Sequence, residues 1–447
     1  MSLQEPIKIF EYDNLEWDDK RWSKSINDSS VKKSLEWLEK KQNSKPFSYT
    51  ANGIKAKQHV GVVSLGRDIV QVLPKIFSNS NSSTNITGLM YLLQLTKKLK
   101  FSEVDLAKLS YKTDNMLEIF IKLFANNLIM LLQNDFRRNY VPQEDNLKFV
   151  KGKINFTQHI RHNYVDKSKL YCNYDEYEAN ILLNQLLKAT VKKCISATKT
   201  SFSILQKCDQ LLADVDTKRF TNPNICKKVK FTRLNQKYKY VFELAKLLLF
   251  GNSPKLDVSN VDTFSIMFDM NKLFEEAIFT ILNESKSEFE FKEVQEQKPQ
   301  KTIFDKSTKN DDDDKFNFTM KPDIHIVTNN NDVIIIDTKY KKIEKVKADY
   351  NSKQKGVSQS DVYQMFAYSQ YYNAEKCILL YPKFNHDIRE EISNDNPAFK
   401  LQVFTVDLHL DNDKVSFAKF KEKVKKDIKE QLKKCPINTT TTKPSHG

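Results

Sequence analysis

Hydrophobic and polar positions follow different periods in three successive parts of the chain. Up to about residue 80 they alternate as in β-strands, and two β-rich segments flank SLGRD at residues 64–68, which predicts a hairpin. The next part repeats apolar residues at helical spacing, as in EIFIKLFANNLIMLLQNDF at residues 118–136. From about residue 260 the order becomes helix, strands, helix, strands, helix, which is typical of α/β layers.

These patterns predict a multidomain chain that is α+β overall and ends in an α/β domain. We expect a β-rich N-terminal domain at residues 1–85 and a mainly helical middle domain at residues 86–255. The α/β domain, with a central mixed sheet flanked by helices, should occupy residues 256–435. The acidic run Asp311–Asp314 and the tail at residues 436–447 are typical of disordered segments.

The charge balance narrows the class of partner. The 447 residues carry a net charge of +15, and the sequence pI is near 9.2. This excess favours a polyanionic partner, with nucleic acid ahead of a membrane surface, and the alternative is a Lys-rich composition without such a partner. The six cysteines show no CxxC pair and no zinc-type spacing, which favours free thiols in a reducing cytoplasm.

Three features that the sequence lacks also guide the expectations. The start, MSLQEPIKIFEYDN, lacks the basic and apolar regions of a signal peptide, and no apolar run approaches the ~20 residues of a membrane-spanning helix. We therefore expect a cytoplasmic protein without a membrane segment. The chain has only 8 Gly and no GxxxxGK[ST] loop, so we expect that it binds no nucleotide itself.

The most informative stretch is NNNDVIIIDTKYKK at residues 329–342, where an apolar strand ends in charged residues. IHIV and VIII flank the turn formers TNNND and therefore predict a hairpin. With the turn centred on Asn330, Asp323 lies opposite Asp337, and Lys339 shares the face of Asp337. Two opposed carboxylates must share a proton or bind a cation, and Mg²⁺ is the simplest explanation. Lys339 would then offset negative charge while water attacks a phosphodiester.

The letters DTK alone are weak evidence for such a site, because they also occur at Asp216–Lys218, without a preceding strand or an acidic partner. The copy at Asp337–Lys339 differs in its context. KPD precedes it at residues 321–323, a predicted hairpin lies between, and a predicted helix follows. A surface hairpin without a metal is the alternative interpretation.

This context resembles a known family of nucleases. KPDIHI and VIIIDTKYKK together resemble the PD-(D/E)xK motif, and QMFAY, with Gln364 and Tyr368 on one helix face, resembles the QxxxY helix of its RecB-like branch. Over most of its length the chain resembles the McrC family, the nuclease subunits of McrBC modification-dependent restriction systems. Segments that resemble landmarks of that family, in the family's order, are GVVSLGRDIVQVLPKI, FRRNYVPQEDNLKFVKGKINFTQHI, CNYDEYEANILLNQLLKAT and FDMNKLFEEAI.

The resemblance implies a restriction-endonuclease-like fold for residues 256–435 and a Mg²⁺-dependent endodeoxyribonuclease, with Mn²⁺ as a substitute ion. It implies that Asp323 and Asp337 bind the metal and that Lys339 is the catalytic lysine.

Two helical residues complete the set that the resemblance implies. Glu275, in NKLFEEAI, matches the acid that many such nucleases place near the metal, and the choice between Glu275 and its neighbour Glu276 stays open. Gln364 matches the glutamine of the QxxxY helix and joins the catalytic residues.

The resemblance also implies partners. McrC-like proteins act with McrB, an AAA+ GTPase that carries the nucleotide site and usually the reader of the modified base. We therefore expect a McrB-like GTPase and double-stranded DNA as partners, and an N-terminal region, residues 1–85, that docks on the ring and stimulates it. The alternatives are a stand-alone RecB-like DNA repair nuclease and a non-catalytic GTPase-activating adaptor.

Overall fold

The computed structural model describes the chain in ranges separated by gaps. These are residues 5–23, 31–36, 45–65, 68–78, 82–99, 115–251, 264–298, 301–302, 319–343, 356–395, 398–411 and 415–433. The acidic run Asp311–Asp314 and the tail at residues 436–447, for which disorder is predicted, lie outside these ranges.

Strands come first along the described chain, helices predominate in the middle, and strands and helices are mixed toward the C-terminal end. The helices are α1 Ser82–Leu95, α2 Met116–Asn134, α3 Phe156–Asn163, α4 Leu182–Ile195, α5 Phe202–Leu211, α6 Lys239–Phe250, α7 Met270–Glu284, α8 Gln359–Tyr372 and α9 Phe417–Lys433. The strands are β1 Ile7–Phe10, β2 Asn14–Glu16, β3 Phe47–Thr50, β4 Gly53–Ala56, β5 His59–Leu65, β6 Asp68–Leu73, β7 Asn139–Leu147, β8 Lys153–Ile154, β9 Leu170–Glu178, β10 Ser265–Asp269, β11 Phe291–Glu296, β12 Lys301–Thr302, β13 Thr319–Met320, β14 Ile324–Thr328, β15 Val333–Thr338, β16 Lys376–Pro382, β17 Arg389–Asp395 and β18 Ala398–Val406.

The N-terminal sheet is completed by a strand from a distant part of the chain. Its strand order is β1-β6-β5-β10, and β5 and β6 form the antiparallel hairpin predicted around SLGRD. β10 pairs antiparallel with β5 and leads directly into α7. Gly61 permits this close approach, because its φ is +138° and an added Cβ would lie 1.9 Å from the Ile266 carbonyl oxygen. One sheet therefore joins the N-terminal strands to a strand at the start of the predicted C-terminal domain, while the predicted domain boundaries stay predictions.

Helices α2, α4, α5 and α6 pack together in the middle of the chain. Among the described helices, α2 is the one long and apolar enough to cross a membrane by length and composition, but most of that stretch is buried inside the protein, as in a core helix. The expectation that no apolar segment approaches this length is therefore wrong for α2. The reason is that Lys122 and Asn126 interrupt the apolar letters without interrupting the helix.

A small sheet interrupts the helical middle region. β7 pairs antiparallel with β9, β8 pairs with the same strand, and α3 packs on β9. We call residues 139–178 the β7–β9 unit. Its exposed large apolar side chains are Tyr140, Phe149, Val150, Phe156, Ile160, Tyr164, Val165 and Tyr177. The predicted helical middle domain thus contains a β-unit with an apolar surface.

The C-terminal sheet is mixed, as the sequence predicts, with the strand order β11-β14-β15-β16-β18-β17. β15, β16 and β18 are parallel, and α8 connects β15 to β16. Alternation along β15 separates its two faces. Ile335 packs with Met365 of α8 on one face, whereas Ile334 and Ile336 belong to the core that includes α7 and α9 on the other. The mixed α and β character of the chain is therefore confirmed.

A buried hydrogen bond joins the N-terminal sheet to the end of β15. The Tyr340 hydroxyl donates to Glu11 Oε2 at 2.9 Å, and the Lys75 backbone N–H donates to the same oxygen at 2.9 Å. Glu11 is fully buried, and this burial raises the pKa of its carboxyl to about 7 despite the two donors. Tyr340 also packs against Phe274 of α7. The residue that follows the DTK triplet is thereby held by both the N-terminal sheet and α7.

We expect Glu11 to make the protein less stable as the pH rises from about 4.5 to about 7. Its pKa of about 7 in the folded state exceeds the ordinary value of 4.5, so over this interval the folded protein retains a proton that the unfolded chain has released. Glu11→Gln removes this titration, so the free energy of unfolding should change with pH by up to about 3 kcal/mol less than in the unchanged protein. Thermal unfolding of both proteins from about pH 4 to about pH 8 measures the difference.

Glu16→Gln is the matched control, because it makes the same change at an exposed position of β2 in the same region. Its unfolding profile should follow that of the unchanged protein. An equal flattening in both variants would contradict the assignment to Glu11.

Candidate active site

The two predicted metal-binding aspartates lie at the same end of the β14–β15 hairpin. Ile324 pairs with Ile336, which is the register predicted from the sequence, so Asp323 lies one position beyond the last pair and across from Asp337. Asp323 is tied to the opposite strand, because its Oδ2 accepts hydrogen bonds from the Thr338 backbone N–H at 2.8 Å and from the Thr338 hydroxyl at 3.0 Å. The hairpin therefore brings both acids together.

Lys339 occupies the same face as Asp337 and pairs with it. Asp337 is 2% exposed, and its Oδ2 lies 2.6 Å from Lys339 Nζ. The same ammonium donates a 3.1 Å hydrogen bond to Gln364 Oε1 of α8 and lies 3.6 Å from Asp361 Oδ1. Burial alone would lower the pKa of Lys339, but Asp337 raises it overall. The lysine therefore stays protonated at neutral pH.

A chain of hydrogen bonds connects the three sequence motifs. Gln364 Oε1 accepts a hydrogen bond from the Lys339 ammonium, and Gln364 Nε2 donates one to the Tyr368 hydroxyl at 3.0 Å. The Tyr368 hydroxyl donates in turn to the Lys321 carbonyl oxygen at 3.0 Å. Gln364 and Tyr368 can act in series because residues four apart lie on one helix face. DTK, QMFAY and KPD are thus linked through α8.

Asp361 is a charged residue of this site that was not predicted from the sequence. It lies in the first turn of α8, where it completes a capping box with Ser358, and its Oδ2 lies 2.6 Å from Lys341 Nζ. Burial alone would raise the pKa of Asp361, but Lys341 and Ser358 lower it overall. The S-x-x-D spacing at the start of α8 was the available signal.

The structure separates the roles of the two neighbouring glutamates of α7. Glu275 Oε1 accepts a 2.7 Å hydrogen bond from Gln297 Nε2, and the Gln297 backbone N–H donates to the Asp323 carbonyl oxygen at 2.9 Å. Glu276 instead lies 2.7 Å from Lys98 Nζ, just beyond α1. Glu275 is therefore the acid on the Asp323 side, and Gln297 is a second residue missed by sequence reasoning.

Lys339 alone does not balance the negative charge at this end of the hairpin. Burial and Asp323 raise the pKa of Asp337 to about 6, burial raises the pKa of Asp323, and burial and Asp323 raise the pKa of Glu275 to about 7. Carboxylate oxygens with uncompensated charge are the donors that Mg²⁺ and Mn²⁺ prefer, so Asp323 and Asp337 fit a divalent cation.

The third predicted ligand is not in place. Within the ranges that the structure describes, no group of three or more His, Cys, Asp and Glu side chains is arranged to hold a metal ion. Glu275 accepts a hydrogen bond from Gln297, and its role as a metal ligand stays a prediction.

The other DTK copy lies in a different environment. Asp216 and Lys218 are exposed, their charged atoms are 4.0 Å apart, and Asp216 Oδ2 accepts a hydrogen bond from Asn180. The segment follows α5 without a strand before it. This copy is a surface loop, as its lack of context indicates.

Comparison with known proteins identifies the family. A model of the family described as McrBC 5-methylcytosine restriction system component matches residues 54–382. The chain belongs to this family. The matched range begins in β4 and ends with β16, so it includes both the β7–β9 unit and the β14–β15 hairpin. The resemblance seen in the sequence is thereby confirmed.

Two solved structures from Thermococcus gammatolerans have similar folds. One is the refined half-complex from a tetradecameric assembly of McrB AAA+ hexamers with bound McrC: 21% identity, a TM-score of 0.71, and coverage of 96% of this chain and 99% of that chain. The other is the cryo-EM structure of the McrBC complex: 27% identity, a TM-score of 0.51, and coverage of 62% and 87%. Among curated proteins, none matches the chain.

We expect Asp337→Asn and Asp361→Asn to change stability in opposite directions when no divalent cation is present. The pKa of Asp337 is raised, so at about pH 8 the folded protein must hold a disfavoured charge that Asn removes. The pKa of Asp361 is lowered, so Asn there loses a favourable ion pair and part of the capping box. Each change should amount to about 1–2 kcal/mol, measured by thermal unfolding in EDTA.

Each variant serves as the control for the other, because both replace an aspartate near Lys339 by its neutral isostere. Destabilisation by both would mean that Asp337 is a structural partner of Lys339 rather than a destabilised acid. Added Mg²⁺ should stabilise the protein with Asp337 more than the Asp337→Asn variant.

Proposed function

We propose that this chain is the DNA endonuclease subunit of a GTP-dependent, modification-dependent restriction complex. The observation that carries the proposal is the meeting of Asp323, Asp337 and Lys339 at one end of the hairpin in a chain of the McrBC family. The mixed sheet with α7 and α8 on opposite faces would be a restriction-endonuclease-like domain of the PD-(D/E)xK type. Its reaction would be the Mg²⁺-dependent hydrolysis of DNA phosphodiester bonds.

Asp323 and Asp337 would hold the Mg²⁺ ion, with Mn²⁺ as a substitute, and Glu275 would join them after release from Gln297. When bound, the ion would polarise the scissile phosphate and favour ionisation of the attacking water. The two hydrogen bonds from Thr338 fix the Asp323 carboxylate in advance, which limits the entropy lost on cation binding. The hairpin thus pre-organises one ligand.

Lys339 would stabilise the charge that develops on the phosphate. Its pKa is raised, so it acts as a hydrogen-bond donor and a positive charge rather than as a base. Gln364 holds the ammonium at 3.1 Å and is itself fixed by Tyr368. Gln364 and Tyr368 therefore act as positioning residues for the lysine.

Lys339→Ala should abolish DNA cleavage without removing the cation site. Because Lys339 supports the transition state but is not a metal ligand, cleavage should fall at least ~100-fold. Mg²⁺ affinity, measured by isothermal titration calorimetry, should change little. Asp337→Ala should lose both cleavage and Mg²⁺ binding. The cleavage assay uses modified duplex DNA with the partner GTPase, GTP and Mg²⁺ present.

Lys286→Ala, at an exposed position beyond α7, is the matched control and should cleave normally. Undiminished cleavage by Asp337→Ala would refute the active-site assignment. Cleavage by the unchanged chain without any GTPase would favour a stand-alone RecB-like nuclease. Loss of Mg²⁺ binding in Lys339→Ala would make the lysine structural.

A partner must supply the nucleotide chemistry, because the sequence has no Gly-rich phosphate loop. The similar structures are of McrB AAA+ hexamers with bound McrC and of the McrBC complex, which supports a McrB-like AAA+ GTPase as the partner of this chain. Double-stranded DNA would be the substrate, with the modified cytosine read by the partner. The complex would act in the cytoplasm.

The exposed apolar side chains favour the β7–β9 unit as a docking surface. Tyr164 is 80% exposed and Val165 is 92% exposed, and the β7–β9 unit carries eight exposed large apolar side chains, more than any other part of the described chain. Apolar side chains grouped in this way mark an interaction site. Docking is predicted from the resemblance for residues 1–85, and the two regions can be separated by substitution.

Tyr164→Ser/Val165→Ser should reduce stimulation of the partner's GTP hydrolysis about tenfold or more, because two exposed apolar anchors are lost. Leu211→Ser/Ile392→Ser, at exposed positions on α5 and β17, is the matched control and should stimulate normally. Both are made in the full chain, and GTP hydrolysis is measured at partner and chain concentrations below saturation, so that weaker docking lowers the rate. Full stimulation by the Tyr164/Val165 variant would leave residues 1–85 as the docking region.

A further inference from the structure

A surface segment between α5 and α6 carries positive charge that the proposed active site does not use. Residues 217–239, which we call the basic segment, contain no Asp or Glu and eight Lys and Arg residues. All eight are exposed: Lys218, Arg219, Lys227, Lys228, Lys230, Arg233, Lys237 and Lys239. These 23 residues thus supply a charge of +8 toward the net +15 of the whole chain.

Most of this charge has no partner among the residues that the structure describes. Lys237 lies 2.8 Å from Asp135, and Lys218 lies 4.0 Å from Asp216. The other six cations form no ion pair with the residues that the structure describes. Helix α9 is the opposite case, because its lysines lie among acids: Lys421 pairs with Glu284, and Lys425 with Glu288 and Glu422. A Lys-rich composition explains α9 but not an acid-free segment.

The basic segment is held in shape by its uncharged residues. Pro223, Cys226 and Tyr238 are buried, and Phe231 packs against Phe242 of α6 with ring centroids 5.3 Å apart. The cations therefore project from an ordered surface rather than from a flexible tail.

Local hydrogen bonds fix the backbone between the cations. Asn222 accepts from the Asn224 backbone N–H at 2.9 Å, and Asn235 accepts from Thr232 at 2.7 Å and donates to the Lys230 carbonyl oxygen at 3.1 Å. A surface that is ordered before binding loses less entropy when a ligand arrives.

We propose that the basic segment is a second DNA-contact surface, which binds the phosphate backbone of duplex DNA outside the nuclease site and without regard to base modification. This inference rests on the proposed function only in that the substrate is DNA. Exposed cations without an acidic partner attract DNA phosphates, and their binding releases counterions from the DNA. A protein-binding surface would instead need an apolar centre. Leu234 is the one exposed large apolar residue that the structure shows in this segment, at 69% exposure.

A second contact surface would serve the reaction by holding the substrate. Contacts with the phosphate backbone carry no sequence information, but they fix the register and orientation of the duplex. The candidate active site itself is rich in acids, since Asp337, Asp361 and Asp323 lie around Lys339 and Glu275 lies on the Asp323 side. Such a site repels DNA until a cation is bound, so affinity for the duplex must come from elsewhere on the chain.

The test compares two triple variants of the full chain that remove the same charge. One is Lys227→Ala/Lys228→Ala/Lys230→Ala in the basic segment, and the other is Lys286→Ala/Lys419→Ala/Lys426→Ala at exposed positions of mixed charge. Binding to a fluorescent unmodified duplex is measured in EDTA, without the partner, at several salt concentrations. The basic-segment variant should bind at least ~10-fold more weakly, with a salt slope reduced by about 2–3, because up to three phosphate contacts are lost.

The control variant should bind nearly as the unchanged chain does. Equal weakening by both triples would mean that net charge alone drives binding and would overturn the proposal. Normal DNA binding by the basic-segment variant, with weaker stimulation of the partner's GTPase, would assign the segment to an acidic protein surface instead. Cleavage is not needed for this assay, so failure of the nuclease assignment would appear separately, as undiminished cleavage by Asp337→Ala.

Discussion

The C-terminal sheet holds the Asp323 and Asp337 carboxylates close together although they repel each other. The β14–β15 register forces the two acids to the same end of a hairpin whose strands are mostly apolar and buried. Burial and the opposed charge both disfavour ionisation of Asp337, and the Lys339 ion pair offsets only part of this cost. A fold that keeps such a pair in its interior holds a site with affinity for positive charge. The proposed cation binding and phosphodiester hydrolysis would rest on this property.

The elements around the hairpin can be understood as supports for this unfavourable arrangement. On one face, α8 supplies Gln364, which holds the lysine, and Asp361, which anchors the helix start. On the other face, Tyr340 reaches Glu11 in the N-terminal sheet. That sheet contains β10, which leads straight into α7 and its Glu275. Distant segments of the chain therefore converge on a few residues, so the position of the candidate catalytic groups depends on the contacts between these segments.

The parts that could be predicted from the sequence are those set by local chemistry. The turn formers between two apolar runs determined the hairpin register, and the register identified Asp323 and Asp337. Contacts between distant segments were not predictable in the same way. Nothing local indicates that β10 returns to β5 or that Glu275 rather than Glu276 lies beside Asp323, because both glutamates fit the same helix. Asp361 had a local signal, the capping box, but its contact with Lys339 depends on how α8 packs.

Charged side chains have different roles in α9, at the β14–β15 hairpin and in the basic segment. The net charge of the chain does not show this difference. In α9 several lysines pair with acids, as Lys421 does with Glu284 and Lys425 with Glu288, so their charge is compensated locally. At the hairpin, Asp323 and Asp337 outnumber Lys339, and the uncompensated negative charge favours binding of a cation. In the basic segment, cations stand together without acids on an ordered surface. Acids repel DNA and unpaired cations attract it, so the proposed nuclease would need both environments: the basic segment to capture the phosphate backbone, and the hairpin to receive it once a cation is bound.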